Sequence, residues 1–210
     1  MIRILVADDH TIVREGLKQI FFETRDMEVA DEARNGQEVI KRIEDNEYDI
    51  VLLDISLPGR SGLDVLKQIK LMKPGLPVLV LSMHPEEQYA VRSLRAGASG
   101  YLTKESASQE LIEAIRKVTQ GRKYITSSLA EKIALEMEVD TSKPLHEALS
   151  DREYQVLCMI ASGKTVTEIG EALSLSVKTI STHRSRILKK MKMKNNAQLM
   201  RYAIRHNLVD

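Results

Sequence analysis

Acidic residues lie at the ends of two predicted strands, and a hydroxyl group and a lysine lie at the ends of two others. Asp8 and Asp9 end the first apolar run, Asp54 ends the third, Ser82 ends the fourth, and Lys104 follows the fifth. Carboxylates about 4 Å apart repel by about 4 kcal/mol per pair at an effective dielectric constant near 20, so a cation must offset them. Mg²⁺ prefers such oxygen ligands. A carboxylate beside Mg²⁺ can attack phosphorus and form an acyl phosphate, whose oxygens the metal, the ammonium group and the hydroxyl group would hold.

Five short β-rich runs alternate with segments of helical periodicity over the first 120 residues. The predicted strands are Ile2–Asp8, Glu28–Ala33, Ile50–Ile55, Val78–Ser82 and Gly100–Thr103. The predicted helices are Thr11–Glu23, Gly36–Asn46, Ser61–Lys73, Glu86–Ala96 and Ser108–Gln120. Such repeats predict a doubly wound α/β fold with a five-stranded parallel sheet, like that of flavodoxin. Binding chemistry lies at the carboxyl ends of the strands in such sheets, so we expect the five polar groups to meet at one edge.

The rest of the chain is predicted to be helical. A helix over Ser127–Met137 precedes a polar linker, 138–147, and Ser150 with Glu153 forms a capping-box pattern that begins the next helix. The helices that follow are predicted to be Val166–Leu173, Val177–Met191 and Asn196–His206. The first two of these, joined by the short turn 174–176, have the spacing of a helix-turn-helix.

Charge is distributed unevenly along the chain. Residues 1–145 carry 20 Lys and Arg against 24 Asp and Glu, whereas residues 146–210 carry 11 against 6. Seven basic residues and no acidic residue lie within 178–194. One side of this helix combines cations with small polar residues, a combination that can enter a DNA major groove. We therefore expect only the second part of the chain to meet a polyanion.

Composition sets further limits. Hydrophobic residues make up 43% and charged residues 29%, as in ordinary globular proteins. No apolar run approaches the roughly 20 residues that span a bilayer, and the start of the chain is unlike a signal peptide. The single cysteine, Cys158, excludes an intrachain disulfide and is expected in a core. We expect a cytoplasmic protein.

The first part of the chain resembles the receiver domain of bacterial two-component response regulators. Asp8-Asp9, Asp54, Ser82, Tyr101 and Lys104 occur in the order and at the spacings of that family. The resemblance implies that Asp54 is the phosphoacceptor. It implies that Mg²⁺ is bound by the side chains of Asp9 and Asp54, by the backbone carbonyl of Ser56, and by Asp8 through water.

The same resemblance assigns the switch residues. Lys104 would pair with the phosphoryl group, and Ser82 would move toward it while Tyr101 turns inward.

Two positions depart from the common pattern. Glu105 stands where many receivers have proline, and Met83 where a smaller residue is frequent. His10 is expected to pack where the first helix begins.

The second part resembles the output domain of the NarL/LuxR (FixJ-like) family. The resemblance rests on Leu149-Ser150-Asp151-Arg152-Glu153 with Val156-Leu157, on Glu168-Ile169 with Leu173, and on Lys178-Thr179-Ile180-Ser181-Thr182-His183. It implies that Ser181, Thr182 and Ser185 face the bases and that Lys178, Thr179 and Arg184 hold the DNA backbone. Several relatives carry lysine at the positions of Ser181 and Ser185, so a base preference does not transfer.

Together these patterns predict a receiver domain over 1–122, a helix and linker over 123–147, and a helix-turn-helix domain over 148–210. A sensor histidine kinase would phosphorylate Asp54, and the receiver would gate homodimerisation and the binding of promoter DNA. The protein would not be an ordinary enzyme, although a receiver can catalyse its own phosphorylation and dephosphorylation.

Three alternatives stay open at this point. One is a phosphohydrolase with Asp54 as nucleophile, which the serine at position 56 disfavours because such enzymes use an acid there. Another is a receiver that acts without phosphate. The last concerns the final helix, with Leu199, Tyr202, Ala203 and Ile204, which either pairs two subunits or packs on its own core.

Overall fold

The computed structural model describes residues 1–106, 108–138 and 144–209. The chain forms two compact units, Met1–Ile133 and Ala134–Asp210. Within the described ranges, none of the helices combines the length and the apolar character that crossing a bilayer requires.

The first unit alternates strands and helices as predicted, with bounds that differ by at most two residues. Its strands are β1 (Ile2–Ala7), β2 (Met27–Ala33), β3 (Ile50–Leu53), β4 (Val78–Ser82) and β5 (Gly100–Thr103). Its helices are α1 (Thr11–Phe22), α2 (Gly36–Asp45), α3 (Gly62–Met72), α4 (Glu86–Arg95) and α5 (Ser108–Thr119). The next helix, α6 (Ser127–Glu138), begins in this unit and ends in the second.

The five strands form one parallel sheet in the order β2-β1-β3-β4-β5. The chain moves one way from β1 to β2 and the other way from β2 to β3, β4 and β5. Because such crossovers are right-handed, the reversal places α1 on one face of the sheet and α2 to α4 on the other. The predicted doubly wound fold is confirmed. All five strands run parallel, so their carboxyl ends share one edge.

The face that α1 covers also packs against α5. Ile4, Ile50 and Leu79 form a core with Phe21 of α1 and Ile115 of α5, all at most 1% exposed. Alternate residues point to the other face, and they are equally buried, as for Leu5, Val51 and Val80. A sheet buried on both faces explains the continuous apolar runs in the sequence and leaves its edge as the place for polar groups.

Gly62, at the start of α3, allows that helix to approach the end of β3. A Cβ atom at this position would lie 2.4 Å from the backbone oxygen of Asp54 and 2.4 Å from the Cα of Ile55. The Gly62 N–H also donates a hydrogen bond to the Ile55 carbonyl at 3.1 Å. The backbone that carries Asp54 is therefore held directly against α3.

Gly62→Ala is expected to lower the free energy of unfolding by about 1–3 kcal/mol, because the added methyl group overlaps backbone that cannot rotate away. Urea unfolding at pH 7 measures this. Gly16→Ala is the control, because Gly16 lies within α1 and its Cβ would meet open space. That variant should gain about 0.5–1 kcal/mol. An equal response from the two variants would contradict the close approach.

The described residues of the second unit form four further α-helices: α7 (Asp151–Ala161), α8 (Val166–Leu173), α9 (Val177–Lys190) and α10 (Asn196–Arg205). The predicted capping box of Ser150 and Glu153 is present at α7. The turn between α8 and α9 is tight, because a Cβ at Gly170 would lie 2.8 Å from the Leu175 carbonyl oxygen, and Ser174 is left-handed with φ +53°. This is the predicted helix-turn-helix, and Cys158 is buried in α7 as expected.

The end of the predicted linker is part of the second unit. Residues 139–143 lie outside the described residues, but Leu145–Ala148 forms a 3₁₀ helix. The His146 N–H lies 3.3 Å from the hydroxyl oxygen of Tyr202 in α10, and its Nδ1 lies 2.9 Å from the same atom. The last residues of the predicted linker thus form helical structure, and the partner of His146 lies 56 residues further along the chain.

Candidate functional site

The structure brings the predicted acidic residues together at the carboxyl edge of the sheet. Ligand atoms of Asp8, Asp9, His10 and Asp54 all lie within 4.8 Å of one another. The side chains of Asp8 and Asp54 are 3% and 1% exposed, whereas that of Asp9 is 37% exposed. The cluster is thus buried on one side and open to solvent on the other.

Lys104 joins two of these carboxylates. Its Nζ lies 2.7 Å from Asp8 Oδ2 and 2.7 Å from Asp54 Oδ2, and its side chain is 5% exposed. Asp54 Oδ1 also accepts a hydrogen bond from the Ser56 N–H at 2.8 Å. Three carboxylates and one ammonium group give this arrangement a formal charge of −2.

The pKa shifts follow from that imbalance. Burial raises the pKa of Asp54 and, together with the nearby Asp8, outweighs Lys104 and the Ser56 N–H, which lower it. Burial works to lower the pKa of Lys104, but Asp54 and Asp8 together outweigh it, so that this pKa is raised. A single ammonium shared by two buried carboxylates is fully favoured in its charged form, while the carboxylates remain short of positive charge. The set of oxygen donors therefore suits a hard divalent cation.

Ser82 and Tyr101 lie beside the cluster in one hydrogen-bonded arrangement. The Ser82 hydroxyl oxygen accepts a hydrogen bond from the His84 N–H at 3.1 Å, and the Tyr101 hydroxyl donates to the His84 carbonyl at 2.8 Å. Both side chains are fully buried, so Tyr101 points inward in this structure. Burial raises the pKa of the Tyr101 hydroxyl, which keeps it protonated as a donor.

The sequence analysis missed the contribution of His84. Its Nε2 lies 3.4 Å from the hydroxyl oxygen of Ser56, which follows Asp54 by two residues. The one available signal was its position two residues after Ser82, in a loop that leaves the functional edge of the sheet.

The His10 side chain does not pack at the start of α1 as the sequence analysis predicted. Its side chain is 58% exposed, and its Nδ1 lies 3.1 Å from Asp8 Oδ1 and 2.9 Å from Asp9 Oδ1. The expected packing at the start of α1 was wrong, because the turn after β1 directs the ring toward the two carboxylates.

The two positions that depart from the family pattern are accommodated locally. Met83 is 62% exposed. The turn that holds Glu105 is closed by a hydrogen bond from the Ser106 N–H to the Thr103 carbonyl at 3.0 Å.

The predicted DNA-contacting residues lie on α9. Lys178, Ser181, Thr182 and Ser185 are exposed, and Thr179 and Arg184 are partly buried. Arg184 Nε donates to Asn196 Oδ1 at 2.7 Å, which holds the guanidinium against the start of α10. The opposite side of α9 packs inward through Ile180 and Ile187, and Met191 directly after the helix does the same, each at most 1% exposed. The helix thus presents a polar, basic face on an apolar base.

The final helix packs on its own unit and leaves one of its named apolar residues exposed. Leu199 and Ala203 are fully buried and α10 packs on α7, whereas Ile204 is 56% exposed. Packing on the domain's own core therefore accounts for two of the four residues named from the sequence and leaves Ile204 to solvent.

An ion pair between a buried carboxylate and a largely exposed lysine links α9 to the start of α7. Lys190 Nζ lies 2.6 Å from Glu153 Oε2, and the Glu153 side chain is 4% exposed. Burial raises the pKa of Glu153, but Lys190 and the Ser150 N–H outweigh it and hold that pKa below its usual value. A lowered carboxyl pKa contributes stability above the unfolded-state pKa, and this stability is lost as the pH falls through the folded-state pKa.

Lys190→Met is therefore expected to lower the opening free energy of α7 by about 1–3 kcal/mol at pH 7, because it leaves Glu153 buried without its cation. Hydrogen exchange of the α7 amide protons measures this. The difference from the parent should shrink as the pH falls from the ordinary Glu pKa through the lowered folded-state pKa of Glu153, because the carboxyl becomes protonated. Lys189→Met, on the exposed side of α9, should change it by less than about 0.5 kcal/mol. A difference independent of pH would contradict the ion pair's role.

Comparison with known proteins agrees with this geometry. Residues 4–116 match the family model described as the response regulator receiver domain, and residues 147–203 match that of the bacterial regulatory proteins of the luxR family. The sequence is 37% identical over 209 residues to the response regulator UvrY of Escherichia coli strain K12, covering 99% of this chain and 96% of UvrY. It is 34% identical over 211 residues to the response regulator GacA of Pseudomonas aeruginosa, covering 100% of this chain and 99% of GacA.

A solved structure shares the architecture. RcsB from Salmonella enterica serovar Typhimurium, bound to promoter rprA in the presence of the phosphomimetic BeF3−, is 27% identical with a TM-score of 0.66, covering 96% of this chain and 97% of that chain. With both family models matched in order and relatives aligned over nearly their whole length, the chain belongs to the NarL/LuxR family of two-component response regulators, with a receiver domain and a LuxR-type helix-turn-helix domain.

Proposed function

We propose that this chain controls transcription by a phosphorylation-gated change in DNA binding, with Asp54 as the phosphoacceptor. The observation that carries the proposal is the shared position of Lys104, 2.7 Å from both Asp8 and Asp54 in a cluster short of positive charge. Such a site can take up a divalent cation and the negative oxygens of a phosphoryl group together.

The chain's own residues would carry the transfer. An Asp54 carboxylate oxygen forms a bond to phosphorus while the phosphorus–nitrogen bond to a histidine of a sensor kinase breaks, and the imidazole leaves with the electron pair. Lys104 exchanges its contact with Asp54 for a phosphoryl oxygen, and the Ser82 hydroxyl donates to another. Removal of the phosphoryl group by water would use the same groups, so the receiver would catalyse both its phosphorylation and its dephosphorylation.

Mg²⁺ fits this donor set. The side chains of Asp9 and Asp54 and the Ser56 carbonyl would hold it, with Asp8 acting through water. When bound, it supplies the positive charge that neutralises phosphoryl oxygens during transfer.

The output would be the binding of promoter DNA by a homodimer. Ser181, Thr182 and Ser185 would approach base edges in the major groove, and Lys178, Thr179 and Arg184 would bind phosphates. The exposed polar face of α9 and the likeness to RcsB, which has been solved on promoter DNA, support this assignment. We expect the protein to act in the cytoplasm, where response regulators of this kind typically work.

The proposed domain organisation is a receiver over 1–122, a helix and linker over 123–147 and an output domain over 148–210.

The gating requires a sizeable free-energy difference. Shifting a two-state equilibrium from 1:99 to 99:1 takes about 5.5 kcal/mol of differential stabilisation, which the new contacts of the phosphoryl group would have to supply.

Selection of DNA sequences by the purified full chain, with and without beryllofluoride, tests the proposal. The parent protein should enrich a two-half-site sequence only with beryllofluoride, and Asp54→Ala should not respond to it. Equal enrichment under all conditions would disprove the gating while leaving DNA binding intact. No enrichment under any condition would disprove DNA binding.

A further inference from the structure

Arg14 in α1 is a buried cation that no part of the proposed chemistry uses. Its side chain is 2% exposed, among the most deeply buried large side chains of the chain. Its Nη1 donates to the backbone carbonyl of Asp8 at 2.8 Å, its Nη2 to the Thr11 hydroxyl oxygen at 3.2 Å, and its Nε to Glu32 Oε2 at 2.7 Å. One guanidinium therefore joins the end of β1, the start of α1 and strand β2.

The bond to Asp8 fixes the turn that carries two of the three acids. The Asp8 carbonyl belongs to the peptide group between Asp8 and Asp9, so its direction sets how both side chains leave the backbone. On the other side of the turn, Asp8 Oδ1 accepts a hydrogen bond from the His10 N–H at 2.9 Å. The His10 N–H therefore fixes the Asp8 side chain, and Arg14 fixes the Asp8 carbonyl group.

The charge of Arg14 is offset by Glu32, which does not belong to the acidic cluster. Its partner Glu32 also forms an ion pair with Lys18. Hydrogen bonds from Lys18 and Arg14 outweigh burial and hold the pKa of Glu32 below its usual value, so this carboxylate is charged at neutral pH. A buried guanidinium without such a partner would lower the affinity of the neighbouring site for any cation, whereas here it can orient the turn without that penalty.

We propose that Arg14 is a positioning residue for divalent-cation binding, holding the Asp8–Asp9 turn in the conformation that the ion requires. The inference rests on the proposed function, which makes these acids cation ligands. Groups behind metal ligands typically change the affinity for the metal by about 10- to 100-fold. Holding the ligands in place before binding means that less binding free energy is used to order them.

Mn²⁺ titration of the full chain without any phosphodonor, followed by the electron paramagnetic resonance signal of free Mn²⁺, tests this role. Arg14→Lys keeps the charge but loses the planar guanidinium that donates hydrogen bonds in three directions. The Mn²⁺ dissociation constant of this variant should rise by about 10-fold or more. Arg116→Lys is the matched control, because Arg116 makes a two-bond pair with Asp26 at the exposed surface of the same unit. Its dissociation constant should stay at the parent value.

A second measurement separates positioning from general stability. At saturating Mn²⁺, Arg14→Lys should regain the parent's extent of beryllofluoride binding, because the defect lies in cation affinity. A lower unfolding midpoint with unchanged Mn²⁺ affinity would overturn the proposal and leave Arg14 a purely structural residue.

A further variant covers the case in which Arg14→Lys does not fold. Glu32→Gln keeps an acceptor for Arg14 but removes the offsetting charge, and it should weaken Mn²⁺ binding by several-fold. Unchanged affinity in Glu32→Gln would then overturn the proposal. If Mn²⁺ affinity in the parent and in Asp54→Asn were equal, the proposed function itself would fail, an outcome distinct from those above.

Discussion

Lys104→Met is expected to slow phosphoryl uptake from acetyl phosphate by about 100- to 1000-fold, the usual effect of removing one preorganised charge from a transfer site. The ammonium group lies 2.7 Å from Asp54 Oδ2 and is placed to meet the incoming oxygens. Methionine is similar in length and uncharged, so the substitution removes the charge with little change in volume. Mass spectrometry of the acid-labile adduct against time measures the rate.

The same variant should lose stability in metal-free buffer. Asp8 and Asp54 would remain buried without their shared cation, a loss typically of about 3–5 kcal/mol, and added Mg²⁺ should restore part of it. Lys73→Met provides the surface comparison, because Lys73 pairs with Glu47, which is 84% exposed. That pair should contribute less than about 1 kcal/mol. Parent-like rates and stability in Lys104→Met would contradict the assigned role of Lys104.

Replacing Lys178 and Arg184 together with alanine is expected to weaken DNA binding by about 100- to 1000-fold at 0.15 M salt. Each phosphate contact contributes about 0.9 to the slope of log K against log salt. Two contacts per subunit become four in a dimer, so the slope should flatten by about 3.6 for a dimer and by about 1.8 for a monomer. Fluorescence anisotropy of labelled duplex at several salt concentrations, with beryllofluoride present, gives both numbers.

Two control variants make this result specific. Asn196→Ala removes the hydrogen-bond partner of Arg184 but keeps its charge, so it should retain most of the slope. Lys41→Ala with Arg122→Ala removes the same charge from exposed positions of the receiver and should leave the slope unchanged. A similar loss in that pair would mean that overall charge, and not the α9 face, sets the affinity.

Local patterns were sufficient to predict the elements and the edge at which the acids meet. The alternation of apolar runs with helical periods located all five strands, and the Ser150–Glu153 spacing located the cap of α7. These features depend on residues close together in sequence. Parallel strands then bring their carboxyl ends together without further information.

The features that the sequence analysis missed depend on distant partners. Arg14 looks like a surface residue of an amphipathic helix until β2 places Glu32 beside it, 18 residues further along the chain. His10 and His84 were likewise misjudged or overlooked, because their neighbours depend on loop conformations that composition and periodicity do not encode.

The hydrogen bonds between His146 and Tyr202 bear on how a pulling force on the linker would reach the second unit. Coming from the linker, His146 bonds to Tyr202 of α10, and its ring also lies 5.8 Å from that of Tyr154 in α7, measured between centroids. Tyr202 in turn stacks on His206 with ring centroids 4.2 Å apart, which ties the anchor to the last turn of the chain. A pull on Pro144 would therefore load α7 and α10, the first and last helices of this helical group, together.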